Sequence, residues 1–283
     1  MACPHQTFLI TGVSSGLGRA FAAGALAAGH RVVGTVRRGA DGEVFARLAP
    51  DRAYPLLLDV TDFDAIPAAV AEAERLAGPI DVLVNNAGYG QEGALEESSI
   101  DDLERQFAAN VFGPVALMKA VLPGMRKRRS GRIVNVTSMG GFITMPGISF
   151  YCGSKFALEG VSEALGKEVA GFGVKVTALA PGQFRTDWAG RSMERAARSI
   201  PDYDAVMDPI RAARQAKSGA QPGDPAKAAH ALLALVEAEN PPTRLFLGED
   251  ALGVVEQKLN AMRAEISTWN ALSRSTSFVA DAA

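Results

Sequence analysis

Tyr151 and Lys155 stand four positions apart in the stretch Tyr151-Cys152-Gly153-Ser154-Lys155. On a helix that spacing puts both side chains on one face, with Cβ atoms ~5–6 Å apart. A free phenol titrates near ~10 and is a poor base at neutral pH. An adjacent ammonium favours phenolate and lowers that value, which makes the pair a candidate general acid/base. Alone the signal is weak, because the same spacing decorates many solvated helices. A second constellation is Thr11-Gly12-Val13-Ser14-Ser15-Gly16-Leu17-Gly18, lying between an apolar run and an Ala-rich stretch to Ala28. Glycines at a strand-to-helix turn let backbone approach a pyrophosphate, which the helix N-terminus attracts. The spacing is G-x-x-x-G-x-G, so the common G-x-G-x-x-G is not met literally.

Two patterns compete with these. Gly12 to Gly16 also fits the G-x-S-x-G nucleophile elbow, with Ser14 as nucleophile. An elbow needs an oxyanion loop from an earlier strand, whereas this turn follows the first one. Gly88-Tyr89-Gly90-Gln91-Glu92-Gly93 does match G-x-G-x-x-G, but Glu96, Glu97, Ser98 and Ser99 follow, a poor seat for phosphates, so it reads as a loop. The second strand carries information about the cofactor. Val36 stands 18 residues after Gly18, where an acid would hold ribose hydroxyls, and Arg37 and Arg38 follow it. A missing carboxylate beside two guanidinium forks favours a 2′-phosphate, hence NADP(H), with NAD(H) as second choice. The plainer alternative makes both arginines ordinary surface charges.

These residues need a scaffold. Short β-rich runs predict strands at Thr7–Thr11, Arg31–Val36, Ala53–Leu58, Val82–Asn85, Arg132–Thr137, Lys175–Ala180 and Thr243–Leu247. Helices are expected to Ala28 and over Ala65–Leu76, Ile100–Lys127 and Tyr151–Ala170. Strands apolar on both faces, alternating with helices, predict an α/β fold. The expectation is a single doubly wound Rossmann domain over 1–283, with a seven-stranded parallel sheet and helices on both faces. Residues 183–225 interrupt the alternation with Arg, Ala, Ser and four prolines. That segment reads as a mobile cover over a site or as a surface excursion, with a short helix around Ser192–Ser199. A tail over 251–273 has helical periodicity in Leu252, Val255, Leu259, Met262 and Ile266, suited to packing on the domain or on a partner subunit.

Composition excludes several classes. The 283 residues carry a net charge of −2 and are 48% hydrophobic, so a large core is available and no basic field points to nucleic acid. The run Arg126–Arg129 suits a helix C-terminus. Cys3 and Cys152 are too few for a disulfide framework, and His5, His30 and His230 form no ligand cluster, so no metal is expected. No signal peptide and no run of about 18 uninterrupted apolar residues is visible, which predicts a cytoplasmic protein without a membrane span. Asn135-Val136-Thr137 fits a glycosylation triplet by chance, inside a strand pattern.

Thr11–Gly18, Asn85-Asn86-Ala87-Gly88, Asn110, Ser138, Tyr151 with Lys155, and Pro181-Gly182 occur in that order. The set resembles the short-chain dehydrogenase/reductase family, over about Phe8 to Thr186. The later part is similar to the branch of 17β-hydroxysteroid dehydrogenases, through the Gly34-Thr35-Val36-Arg37 strand end and Leu247-Gly248-x-Asp250-Ala251; that branch is functionally mixed and fixes no steroid substrate. The resemblance implies reversible oxidoreduction between a secondary alcohol and a ketone or aldehyde, acting on CH–OH donors. Tyr151 would exchange a proton with the substrate oxygen. Lys155 would lower the Tyr151 pKa and bond the nicotinamide ribose. Ser138 would polarise the substrate oxygen, and Asn110 would hold a water that links Lys155 to solvent. Gly12, Ser14, Ser15, Gly16, Leu17 and Gly18 would cradle the pyrophosphate, with Asp59 and Val60 by the adenine. Asn86, Ala87 and Gly88 would flank the adenosine ribose. Pro181, Gly182 and Phe184 would line the nicotinamide side, with Thr186 reaching its carboxamide. Each has a plainer role: Ser138 as a strand end, Asn110 as a buried helix polar group, Asp59 as a turn cap at Thr61, Asn85–Gly88 as a tight turn.

Around the expected reaction centre Tyr89, Met139, Phe142, Met145, Gln183 and Trp188 are candidate substrate contacts, with Phe150 close by in sequence. All but Gln183 are apolar or aromatic, which suits an apolar small-molecule carbonyl or alcohol; Phe142 and Phe150 serve equally well as core. Cys152 is expected to be buried and inert. By resemblance the chain forms homodimers or homotetramers through the helices around Leu103–Lys119 and Tyr151–Ala170. Two alternatives remain open: a dinucleotide-sensing scaffold without turnover, and a serine hydrolase using Ser14.

Overall fold

The computed structural model describes residues 5–188 and 190–278; Cys3 lies outside them. The central sheet is built from β1 (Thr7–Ile10), β2 (Arg31–Val36), β3 (Ala53–Leu57), β4 (Val82–Asn85), β6 (Gly131–Val136), β7 (Val174–Pro181) and β9 (Arg244–Leu247). Their order is β3-β2-β1-β4-β6-β7-β9, with every pairing parallel. The chain winds outward from β1 in both directions. The switch point therefore falls between β1 and β4, where an open sheet of this kind forms a crevice at its carboxyl ends.

Alternation along each strand makes the two faces. Phe8, Ile10, Val32, Val82, Val84, Val134 and Val136 point to one side. There they meet α1 (Gly16–Ala27) and α8 (Pro225–Glu237) through Phe21, Ala25, Leu232 and Val236. Leu9, Val33, Leu83 and Ile133 point to the other side. They meet α3 (Ile66–Ala77) and α5 (Gly113–Arg128) through Ile66, Val70, Leu117 and Met125. Period-two alternation with both faces apolar is what a doubly covered parallel sheet requires. Asn135 is fully buried in β6, where its amide donates to Ser162 Oγ at 2.8 Å, so the glycosylation triplet is closed to modification.

Several features depart from expectation. The helix expected over Ile100–Lys127 is α4 (Ile100–Phe107) and α5 joined by a π-turn at Ala108–Phe112. A π-turn holds one extra residue and is often found at functional sites; this one contains Asn110. By length and a mean hydropathy of 1.3 over eighteen residues, Ile100–Arg128 could span a bilayer. Here its Leu117, Met118, Val121 and Met125 are buried against the sheet. The Gly88–Gly93 loop contains β5 (Gly90–Glu92), which pairs in parallel with β8 (Met193–Arg195) about a hundred residues later. The helix expected around Ser192–Ser199 is thus a strand in part, and the helix of this segment is α7 (Asp204–Ala216). Three-residue strands carry too little periodicity to be seen, and this pairing is long-range. Two further helices, α2 (Gly39–Ala46) and α8, were not expected. The last helix, α9 (Glu249–Arg274), follows β9 directly.

Candidate active site

The crevice at the carboxyl ends of β1, β4, β6 and β7 opens into a cavity of about 1210 Å³. All but three of the sequence-derived site residues line it. The exceptions are Gly18, Asn110 and Phe142, which sit behind the wall. Phe142 does not face the cavity: its ring packs against Phe246 at 5.7 Å and under the Arg244 guanidinium at 5.5 Å. The substrate role expected for it gives way to a structural one, and Phe150 is likewise buried off the cavity.

One end of the cavity is the glycine turn. Gly12 and Gly16 have φ of +72° and +57°, in the left-handed region that glycine adopts without strain. A Cβ on Gly18 would lie 2.3 Å from Gly12 O and from Asn86 Nδ2, so the turn closes only with glycine there. The Thr11 hydroxyl accepts the N–H groups of Asn86 and Ala87 at 2.9 Å each, which locks the ends of β1 and β4 together. Helix α1 begins after Ser15 with no side chain capping its first N–H groups. Free N–H groups and the positive dipole end then face the cavity, a seat suited to a pyrophosphate. A dinucleotide therefore fits on this structure's own geometry.

Further along lie Arg37 and Arg38, both exposed on the cavity rim. The Arg38 fork is engaged by Asp41, with Nε–Oδ2 2.8 Å and Nη2–Oδ1 3.0 Å. Asp41 was not foreseen. Its carboxyl is held below the usual range, first by the hydrogen bond from Arg38, and with the charges of Arg38, Arg191 and Arg37 nearby. Asp59 lines the cavity and also caps its turn, accepting from Thr61 N at 2.9 Å and Thr61 Oγ1 at 2.8 Å.

At the other end stand Tyr151 and Lys155 on α6 (Ser149–Val169), both nearly enclosed. Lys155 Nζ lies 5.8 Å from the Tyr151 ring centre and donates to Val136 O at 2.8 Å. Burial, ahead of any neighbouring charge, leads the shift of the phenol and pushes Tyr151 up, opposed by the Ser138 hydroxyl beside it. Burial likewise pulls Lys155 down to about 8, opposed by Glu159. In a low-dielectric wall the charged forms of both groups are disfavoured. Ser138 follows β6 in extended conformation, its Oγ accepting from Gly140 N at 3.0 Å. Asn110 spends its side chain on protein partners: Nδ2 donates to Tyr89 O at 3.0 Å and Ser154 Oγ at 3.1 Å, and Oδ1 accepts from Tyr89 N at 3.2 Å. A Cβ on Gly88 would approach Asn110 Oδ1 to 2.8 Å, so a bare backbone is needed there.

Trp188 lies over the Tyr151 ring at 5.0 Å, with Met139, Met145 and Ile148 completing an apolar wall. Tyr89 adds a second phenol, pushed up to about 12 chiefly by burial. Gly182 follows β7 and donates to Leu247 O at 2.7 Å. The next residue, Gln183, donates its N–H to Asp250 Oδ2 at 2.8 Å, so the first turn of α9 fixes the chain beside the cavity. From the 183–225 segment, Arg191, Ile210, Arg214 and Lys217 also line it. That segment is anchored by Glu92 of β5, whose buried carboxylate meets Arg195 at 2.8 Å, Arg214 at 2.7 Å and Arg211 at 3.6 Å. Sequence gave no sign of Glu92, because its partners lie a hundred residues away. Among the described residues no histidine lines the cavity, so Ser14 has no Ser-His arrangement there.

Known proteins resemble this chain in sequence and in fold. Residues 6–197 match the family model described as short chain dehydrogenase. Oxidoreductase BOA17 of Botryotinia fuckeliana is 39% identical over 95% of this chain and 98% of its own length. The 3-ketodihydrosphingosine reductase of Bacteroides thetaiotaomicron is 37% identical over 86% of this chain and 88% of its own. The NADPH-dependent 3-dehydrocapnine reductase of Ornithobacterium rhinotracheale is 34% identical over 65% of this chain and 67% of its own. The crystal structure of a short-chain dehydrogenase from Streptomyces avermitilis superposes with a TM-score of 0.90 at 42% identity, over 98% of this chain and 100% of that one.

Proposed function

The chain belongs to the short-chain dehydrogenase family of NAD(P)-dependent alcohol/ketone oxidoreductases, and on that premise we propose an NADP(H)-preferring enzyme acting on an apolar carbonyl or alcohol with Tyr151 as its general acid/base. The observation that carries this reading is the enclosed triad of Ser138, Tyr151 and Lys155 at one end of a cavity whose other end is a glycine turn. When bound, the nicotinamide would supply or take the hydride. Ser138 hydrogen-bonds the substrate oxygen and holds it against the Tyr151 hydroxyl. Tyr151 gives that oxygen a proton in reduction and takes it back in oxidation. Lys155 would bond the nicotinamide ribose and steady the phenolate. Asn110 fixes the Tyr89 backbone and Ser154, which sets the floor under the pair. Trp188, Met139, Met145 and Ile148 exclude water from the reacting carbon. Segment 183–225, pinned through Glu92, acts as the cover over the substrate.

Arg37 and Arg38 support the NADP(H) preference: one fork is open on the rim, the other held by Asp41, which a 2′-phosphate would displace or share. The names of two relatives, one NADPH-dependent and both reductases, agree with it. Exposed Phe112 at the π-turn before α5 and Phe156 on α6 agree with assembly through those helices, as a homodimer or homotetramer. The apolar wall around Tyr151 favours a small-molecule substrate over a macromolecule, and a cytoplasmic setting is part of the same reading. Kinetics test it. Arg37→Ala combined with Arg38→Ala is expected to raise KM for NADPH at least about tenfold, since each charged hydrogen bond contributes ~1.5–3 kcal/mol, while KM for NADH stays unchanged. An equal rise for both cofactors would end the phosphate assignment.

A further inference from the structure

Helix α9 leaves the domain after its first two turns. Ala251 and Val255 are buried at its foot, but every residue from Leu259 to Phe278 is exposed, except that Leu259 and Met262 keep light cover at 38% and 40% exposure. An unsupported helix of this kind is marginal in water. This one is also not polar all round. Leu252, Val255, Leu259, Met262, Ile266 and Trp269 recur at alternating spacings of three and four. That is a 3.5-residue repeat, which forms a straight seam about 25 Å long on one side of a supercoiled helix. Ile266 and Trp269 are 64% and 61% exposed, large apolar side chains with nothing over them among the described residues.

We propose that this seam pairs with the same helix of a second copy of the chain, antiparallel, about a two-fold axis between Leu259 and Met262. One register matches the exposed apolar layers: Leu259 against the second copy's Met262 and Leu252 against its Trp269, with Ile266 set against the domain surface that covers Val255. In a two-fold pair each contact occurs twice. The charges beside the seam agree with that register. Glu256 falls beside the second copy's Arg263, and Lys258 falls beside its Glu265, so both edges carry opposite signs. Flanking charges of this kind set partner and orientation in helix pairs. A parallel pair would instead bring Lys258 beside the second copy's Arg263, like against like. The stripe also lacks the cationic flanks of a membrane-surface helix: α9 holds four acids against three bases. Val255 is already covered by its own domain, so the far end of each helix comes to rest against the foot of the other subunit. This surface is separate from α4 to α6, and the inference is independent of the catalytic reading.

The test uses the whole chain, with substitutions only at exposed positions of α9. Sedimentation of Ile266→Glu combined with Trp269→Glu should give a particle of half the wild-type mass at equal concentration, with an unchanged melting temperature for the domain. Arg263→Glu alone should weaken the association at least tenfold at low salt, and adding Glu256→Arg should restore it. An unchanged mass in the Ile266/Trp269 variant overturns the proposal. So does a charge swap that fails to restore association, since the register predicts rescue. Wild-type binding to phosphatidylcholine or phosphatidylglycerol vesicles, lost in the Ile266/Trp269 variant while the mass stays constant, would assign the seam to lipid and equally overturn it.

Discussion

At the scale of single residues, the Tyr151–Lys155 pair is set by burial before it is set by mutual charge. Burial pulls Lys155 down to about 8, against 10.5 for an ordinary lysine. Between those values the unfolded chain binds more protons than the folded one, so stability rises with pH across that window. Below about pH 8 the buried cation costs its full amount, on the order of 3 kcal/mol for such a shift. Lys155→Met removes this dependence. Urea unfolding of both cofactor-free proteins should therefore show the wild type gaining on the variant from pH 8 to 10.5; parallel curves would mean the ammonium is solvated. The pair itself was legible in sequence because i and i+4 share a helix face. Asp41 could have been found from its i+3 spacing to Arg38 at the first turn of a helix. Asp250 was visible only as part of a familiar stretch, and its bond to Gln183 spans 67 positions.

At the scale of elements, the sheet was readable because each strand is a short apolar run and each face is covered. What escaped was structure whose partner lies far along the chain. Strand β5 has three residues and no pattern of its own; it exists because β8 pairs with it and because Glu92 draws Arg195, Arg211 and Arg214 to it. Acids after the Gly88–Gly93 loop looked like a poor phosphate seat. Their role is to hold the 183–225 segment: Glu97 accepts from Ser199 N and Ile200 N, and Glu96 from the Tyr203 hydroxyl. Removing one partner of a buried charge cluster leaves the others uncompensated. Glu92→Gln should thus destabilise the protein by about 3 kcal/mol and speed proteolysis within 183–225 ahead of the Rossmann core. Equal cleavage rates in the variant and wild type would show that the arginines find solvent instead. Phe142 failed as a substrate contact for a related reason: one helical turn past Ser138 its ring turns to Phe246 on β9, a strand distant in sequence.

At the scale of the whole molecule, one cavity joins two halves with separable tasks. In the proposed function the turn after β1 and the rim at Arg37 and Arg38 would seat a dinucleotide, and the ends of β6, α6 and β7 would present the reacting groups; all of them line the cavity. The order of motifs along the chain was legible because the doubly wound topology brings successive strand ends to one edge. The placement of residues 183–225 beside the cavity was not, because ion pairs rather than periodicity hold it there. Separability gives the most direct test of the account. Tyr151→Phe keeps the ring, and with it the packing against Trp188, and removes only the hydroxyl. NADPH binding, followed by its fluorescence, should stay within about twofold of wild type, while NADPH oxidation across a panel of apolar ketones and aldehydes should fall by at least the ~10²–10⁴-fold that a positioned acid/base contributes. Turnover at the wild-type rate in Tyr151→Phe would contradict the proposed mechanism.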